Sequence, residues 1–208
     1  GHGELNDKFV ADLAKDLSQY YRLDKFNLKE FIADSITGEI SLQNQILRLS
    51  TFDALIIAKP TKEFNDVDKL LLDQYIMRGG KTLWYLDAVA ANMDSLSKAS
   101  SFLSYPIMNE LGLTDFLFKY GVRINSNLVT DMVSGGVSDS RKVYRWIYFP
   151  LIMPQIKHPI TKDLNAIKLE FASTLDTIIS PGVRKTFLLR SSPYSNAIST
   201  PHAVRLQT

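Results

Sequence analysis

The chain has 208 residues, of which 45% are hydrophobic and 22% charged; it carries a formal net charge of +2 and has no cysteine. That length holds one large domain or a domain and a half, with apolar content enough for a sizeable core. Thiol nucleophiles, disulfides, thiolate metal sites and iron–sulfur clusters are excluded, and basic residues scattered among acids do not make the concentrated face of a nucleic-acid binder. No apolar run reaches the ~18 residues of a membrane span, and no charged-then-apolar leader opens the chain.

In chain order, Gly1-His2-Gly3 reads as a turn leading into an amphipathic helix. Leu5, Phe9, Val10, Leu13, Leu17, Tyr20 and Tyr21 share one face of it, with Asp7, Lys8, Asp12, Lys15 and Asp16 opposite. In an α/β fold such a turn leaves a strand, so the chain reads as an excised piece whose first strand is missing. That would leave a hydrogen-bonding edge open to association. Phe26 and Leu28 in "DKFNLKEFI" have strand spacing, and the segment ends near "DSITGE". The run Ala54 to Ala58 predicts a strand buried on both faces, the mark of a parallel sheet, closed by Pro60. "NDVDKLLLDQYIMRGG" predicts a helix capped by Asn65, with Val67, Leu70, Leu71, Tyr75 and Ile76 buried and Gly79-Gly80 ending it. "KTLWYLDAV" predicts the next strand. Strand, helix and strand in this order imply a right-handed crossover, with ligands at the strand ends, Lys59-Pro60 and Asp87-Ala88.

Beyond Ala90 the text changes. "NMDSLSKASSFLSYP" reads as a long polar loop, "IMNELGLTDFLFKYG" as short helices, and "SGGVSDSRK" as a loop. "AIKLEFAS" and "KTFLLRSS" read as strands in a β-rich C-terminal part. The predicted organisation is an α/β domain over residues 1–133 and a β-rich extension over 134–208.

No catalytic set stands out. Ser134 to Ser140 lack the strand–elbow–helix context of a serine nucleophile. His2, His158 and His202 have no metal-ligand spacing. Asp66 and Asp68 are explained by helix capping, and Asp87 ends a predicted strand where functional groups sit. Neither a Walker A nor a dinucleotide fingerprint is present. Tyr144, Trp146 and Tyr148 could line a groove for a sugar or peptide, or fill a core.

Two stretches carry a resemblance. "FDALIIAKPTKEFNDVDKLLLDQYIMRGGKTLWYLDAV" and "LFKYGVRIN" resemble the gliding-associated ABC transporter substrate-binding family, GldG. "HGEL", "YFPLIMP", "LEFASTLDTI" and "LLRSSPYS" follow in the same order, so the resemblance covers nearly the whole chain. It implies a membrane-anchored protein, with its soluble region on the periplasmic side of the inner membrane. The partners it implies are an ABC permease and ATPase, in gliding motility or secretion of Bacteroidetes-type bacteria. The implied fold is α/β, a parallel-rich sheet flanked by helices, similar to class I glutamine amidotransferase-like or flavodoxin-like folds. Those enzymes use a cysteine that this chain lacks, so no enzyme and no cofactor is expected. The expected function is protein–protein contact. A solute-binding domain for a sugar or peptide, and a hydrolase with a Ser or Asp nucleophile, are the alternatives. Lys59, Asp87, Arg123, Asn125 and Trp146 are the candidate binding residues. Phe116, Phe118 and Tyr120 would pack a joint between the two parts, with Arg123 and Asn125 tying neighbouring loops.

Overall fold

The computed structural model describes residues 2–33, 38, 40–98, 101–139 and 142–206. Two compact units emerge, Gly1–Leu86 with Glu110–Leu113, and Asp87–Asn109 with Thr114–Thr208. The boundary expected at 133/134 therefore falls inside the second unit. The "DSITGE" end of the segment after the first helix lies largely outside the described residues.

The first unit contains α1 (Asp7–Ser18), α2 (Leu42–Leu49), β1 (Ala54–Ala58), α3 (Asp66–Met77) and β2 (Lys81–Tyr85). Each helix start has a polar cap: Asn6 accepts from Lys8 N, Ser41 from Asn44 N, and Asn65 from Asp68 N. At α3 the Asp68 carboxylate bonds back to the Asn65 amide, completing a capping box. β1 and β2 pair in parallel, Ala54 opposite Lys81 through Ala58 opposite Tyr85, with α3 as the connection. Leu71, Leu72 and Tyr75 bury the inner face of α3, and the Tyr75 hydroxyl donates to Phe52 O.

Three expectations for this unit need correction. The β1–β2 pair is not covered on both faces, since Ile56 is 42% and Leu83 47% exposed. Val67 and Leu70 are also largely exposed, because the buried stripe of α3 runs through Asp68, Leu71, Leu72 and Tyr75 instead. The segment around Phe26 and Leu28 is extended but forms no strand. The Gln45 side-chain amide donates to the carbonyls of Asn27, Leu28 and Glu30, replacing a neighbouring strand as their partner. Helix α1 has an amphipathic pattern yet buries no residue, and Phe9 is 77% exposed.

The second unit contains β3 (Val89–Ala90), α4 (Met93–Lys98), β4 (Ser101–Pro106), α5 (Thr114–Lys119), β5 (Val122–Ile124), β6 (Asn127–Asp131), β7 (Ser134–Asp139) and β8 (Lys142–Pro154). A short 3-10 turn (Pro159–Thr161) follows, then β9 (Ile167–Lys168), β10 (Leu175–Thr177), β11 (Leu189–Arg190), β12 (Ser195–Ser199) and β13 (His202–Arg205). All pairings here are antiparallel: β3–β4–β13, β5–β10, β6–β12, and β8 with β7, β9 and β11. The parallel pairing predicted for the sheet is thus seen at β1–β2 alone among the described residues.

Two predicted loops turn out to be ordered elements. Part of "NMDSLSKASSFLSYP" is helix α4 and strand β4. In β4 the polar Ser104 is fully buried, its hydroxyl donating to His202 O, while Leu103 and Tyr105 face outward. "SGGVSD" is strand β7, paired to β8 with a bulge between Ser134 and Gly136. Its glycines are required by close approach: a Cβ at Gly135 would lie 2.7 Å from the Lys168 side chain, and one at Gly136 2.5 Å from Val143.

The core of this unit is aromatic. Trp146 packs edge-on against Tyr148, Phe149 and Phe171, at centroid distances of 5.3, 5.0 and 5.6 Å. At the α5–β5 corner, Gly121 (φ +74) makes the left-handed turn, and a Cβ there would lie 2.9 Å from Ile178 O. Phe116 is buried against Tyr120, whereas Phe118, expected to pack, is 49% exposed.

Candidate functional site

Strand β1 has one used edge and one open edge. Lys59 N donates to Tyr85 O, so the odd-numbered residues of β1 turn their backbone groups toward β2. By the period of two, the N–H and C=O groups of Ala54, Ile56 and Ala58 point the other way. There, Leu5 N donates to Ala58 O at 3.0 Å. The groups of Ala54 and Ile56 meet no backbone partner among the described residues. β1 also lines a cavity of about 430 Å³, together with apolar Leu5, Phe26, Leu49, Phe52, Phe64 and Leu72 and with charged Glu4, Asp7, Arg22, Asp24 and Lys25. An unpaired strand edge beside a slot of mixed lining has the chemistry to accept one more extended chain.

One end of the slot is fixed by a buried polar cluster. His2 stacks on Phe64 with ring centroids 3.8 Å apart and planes within 4°. Its Nε2 lies 2.9 Å from Asp68 Oδ2, and its Nδ1 lies 3.5 Å from Glu4 Oε1. The His2 amide also donates to Glu4 Oε2, while His2 O accepts from Thr61 N and Lys62 N. The hydrogen bond from His2 pulls the Glu4 carboxyl down to about 2, against the opposing effect of burial. Asp68 is 2% exposed and accepts from Asn65 N as well, with Lys29 Nζ 3.9 Å away. Both carboxylates grip one ring, which pins residues 2–5 beside the end of β1. No group of three His, Asp or Glu among the described residues is arranged to hold a metal ion.

Sequence reasoning missed this cluster. Asp68 was visible only as a helix cap, and its imidazole partner is 66 residues away.

The residues expected to form a binding site are dispersed. Lys59 (φ +51) lies in the first unit, where it leaves β1 and is exposed; the other four lie in the second. Asp87 is half-buried between β2 and β3. Trp146 is 3% exposed inside the aromatic core and lines no groove. Arg123 and Asn125 do come together: Arg123 Nε donates to Asn125 Oδ1, and Asn125 Nδ2 to Thr174 Oγ1 and Asp176 Oδ2. They tie β5 to β10 and the residues before it. The serine–histidine pair of a hydrolase would draw on Ser134 to Ser140 and His158. His158 Nδ1 accepts from Ile160 N as a turn cap, Ser134 belongs to β7, and Ser140 lies outside the described residues.

A family model described as an ABC-type uncharacterized transport system matches residues 1–208. The chain belongs to that family. Its members are auxiliary components of ABC-type transport systems. No curated protein matches the chain. Among solved structures, a chain described as "mmIFT52 N-terminal domain" is similar, with a TM-score of 0.55 at 16% identity, covering 88% of this chain and 70% of that one. That likeness concerns the fold. No helix among the described residues is long and apolar enough to cross a membrane.

Proposed function

We propose that this chain is a non-catalytic auxiliary component of its ABC-type transport complex, acting by protein–protein contact. In this reading it works on the periplasmic side of the inner membrane, serves gliding motility or secretion, and is anchored by segments outside this chain. The permease and ATPase subunits of the same complex are its partners. The observation that carries the contact reading is the open edge of β1, where the Ala54 and Ile56 groups have no backbone partner among the described residues and the strand lines a slot. A strand contributed by a partner would satisfy those groups and fill the slot. The β1–α3–β2 unit supports reading the first unit as a piece of an amidotransferase-like or flavodoxin-like α/β sheet, a fold that here serves as scaffold.

The test is binding of the purified permease and ATPase subunits to the wild type and to Ile56→Pro. The Ile56 N–H has no backbone partner among the described residues, so proline removes no bond there and its ring blocks an incoming strand. The expected result is a near-unchanged melting temperature with binding at least about tenfold weaker. Equal binding by both proteins would remove the β1 edge from the contact. No binding by the wild type would remove the partner reading itself.

A further inference from the structure

The second unit holds a larger cavity that the contact reading leaves unused. It measures about 830 Å³, within the ordinary range for sites that enclose small molecules. Its walls are mostly aliphatic, with Ile152, Leu169, Leu175 and Leu189 among them, and Phe187 at one side. Arg190 is the only charged residue lining it. No carboxylate pairs with this guanidinium among the described residues; it lies 4.7 Å from the centroid of the Phe187 ring.

Ser173, also in the lining, has the only buried side-chain polar atom without a hydrogen-bond partner among the described residues. Its neighbours are committed: Thr174 bonds to Asn127, and Ser192 to Asp131. An orphan hydroxyl is costly to bury, by about 1–3 kcal/mol. The chain nonetheless holds it there, two residues after Phe171, whose left-handed backbone (φ +53) is locked by ring contacts with Phe102, Trp146 and Phe149. Non-glycine residues adopt that conformation only where the surroundings enforce it, and such positions cluster at ligand sites.

We propose that this cavity binds a small amphiphilic monoanion: an apolar chain ending in a single carboxylate. The aliphatic walls would take the chain and the Arg190 guanidinium the carboxylate. Two sources share this chemistry, a free acyl chain and the C-terminus of a short apolar peptide.

Isothermal titration of the full chain distinguishes them, using decanoate below its aggregation concentration and the tripeptide Ala-Leu-Phe. Decanol and the amidated tripeptide serve as uncharged controls. Saturable one-to-one binding of at least one acid is expected, with its uncharged control at least about tenfold weaker. Which acid binds identifies the source. Arg190→Gln, at an exposed position, should weaken binding by about the same factor. Ser173→Ala should leave binding unchanged and the ligand-free melting temperature equal or higher, because it deletes an unsatisfied group that is closed off from the cavity. Absence of saturable binding by both acids, equal binding of acid and control, or binding indifferent to Arg190→Gln would each overturn the proposal.

Discussion

Asp68 in the first unit and Asp131 in the second are both almost fully buried, yet they are satisfied in different ways. Asp68 faces an imidazole, with a lysine ammonium 3.9 Å away, and shares its remaining capacity with the helix cap. Asp131 has no cationic partner among the described residues. It accepts from Val133 N at 2.8 Å, from Ser192 N at 2.8 Å and from the Ser192 hydroxyl. Asp68 draws its partners from an imidazole and a helix-cap amide, Asp131 from two backbone amides and a hydroxyl. Removing the Asp131 carboxylate leaves those donors unsatisfied.

The largest expected effect follows from this. Asp131→Ala leaves two amides and a hydroxyl buried at the join of β6 with the turn before β12, and should destabilise the second unit by about 3–5 kcal/mol. Urea unfolding gives the magnitude, and amide exchange at Val133 and Ser192 gives the location. A loss below about 1 kcal/mol would mean that water replaces the carboxylate, and the contrast with Asp68 would disappear.

A smaller effect tests the first unit. The Glu4 carboxyl sits at about 2, below its ordinary 4.5, because the carboxylate form bonds to His2. A depressed carboxyl stabilises the fold fully above its unfolded value, and that contribution drains away as pH falls from about 4.5 toward 2. Its side chain is 36% exposed, so water screens much of the interaction and the loss is modest. Glu4→Gln should lower the melting temperature by a small amount near neutrality and flatten its fall across this window, so that the two curves converge toward pH 2. Parallel curves for wild type and variant would show that the acid sensitivity arises elsewhere.

The same contrast explains what could be read from the sequence. The first unit's regular elements follow from short-range signals: Asn65 and Asp68 announce α3, and the Ala54–Ala58 run announces β1. Even there the covering of the sheet was misread, because periodicity says which residues can be buried and not whether anything lies opposite them. The second unit is joined across long chain distances. Strand β4 pairs with β13, Ser104 opposite His202, so its partner is 98 residues away. Its buried serine and outward leucine invert the usual pattern, which made a paired strand look like a loop. Of the expected site residues, Arg123 on β5 and Asn125 just after it are visible two residues apart, but the Thr174 and Asp176 that complete their network lie about 50 residues on. The Ser173 and Arg190 cavity left no local trace, since a lone serine and a lone arginine are ordinary in any strand end.

The smallest expected effect separates positioning from charge within that β5–β10 network. Arg123 and Asp176 lie 3.4 Å apart, but both are more than half exposed, so the pair is hydrated on either side of folding. Asn125 instead bonds to three side chains, and its backbone N–H donates to Thr174 O. Arg123→Ala should therefore cost less than about 0.5 kcal/mol and fade further with added salt. Asn125→Ala should cost about 1–2 kcal/mol and respond less to salt than Arg123→Ala, because the amide it removes is uncharged, although two of its three partners carry charge. If the arginine variant were the more damaging of the two, the network would be organised by its ion pair and not by the hydrogen bonds of the Asn125 amide.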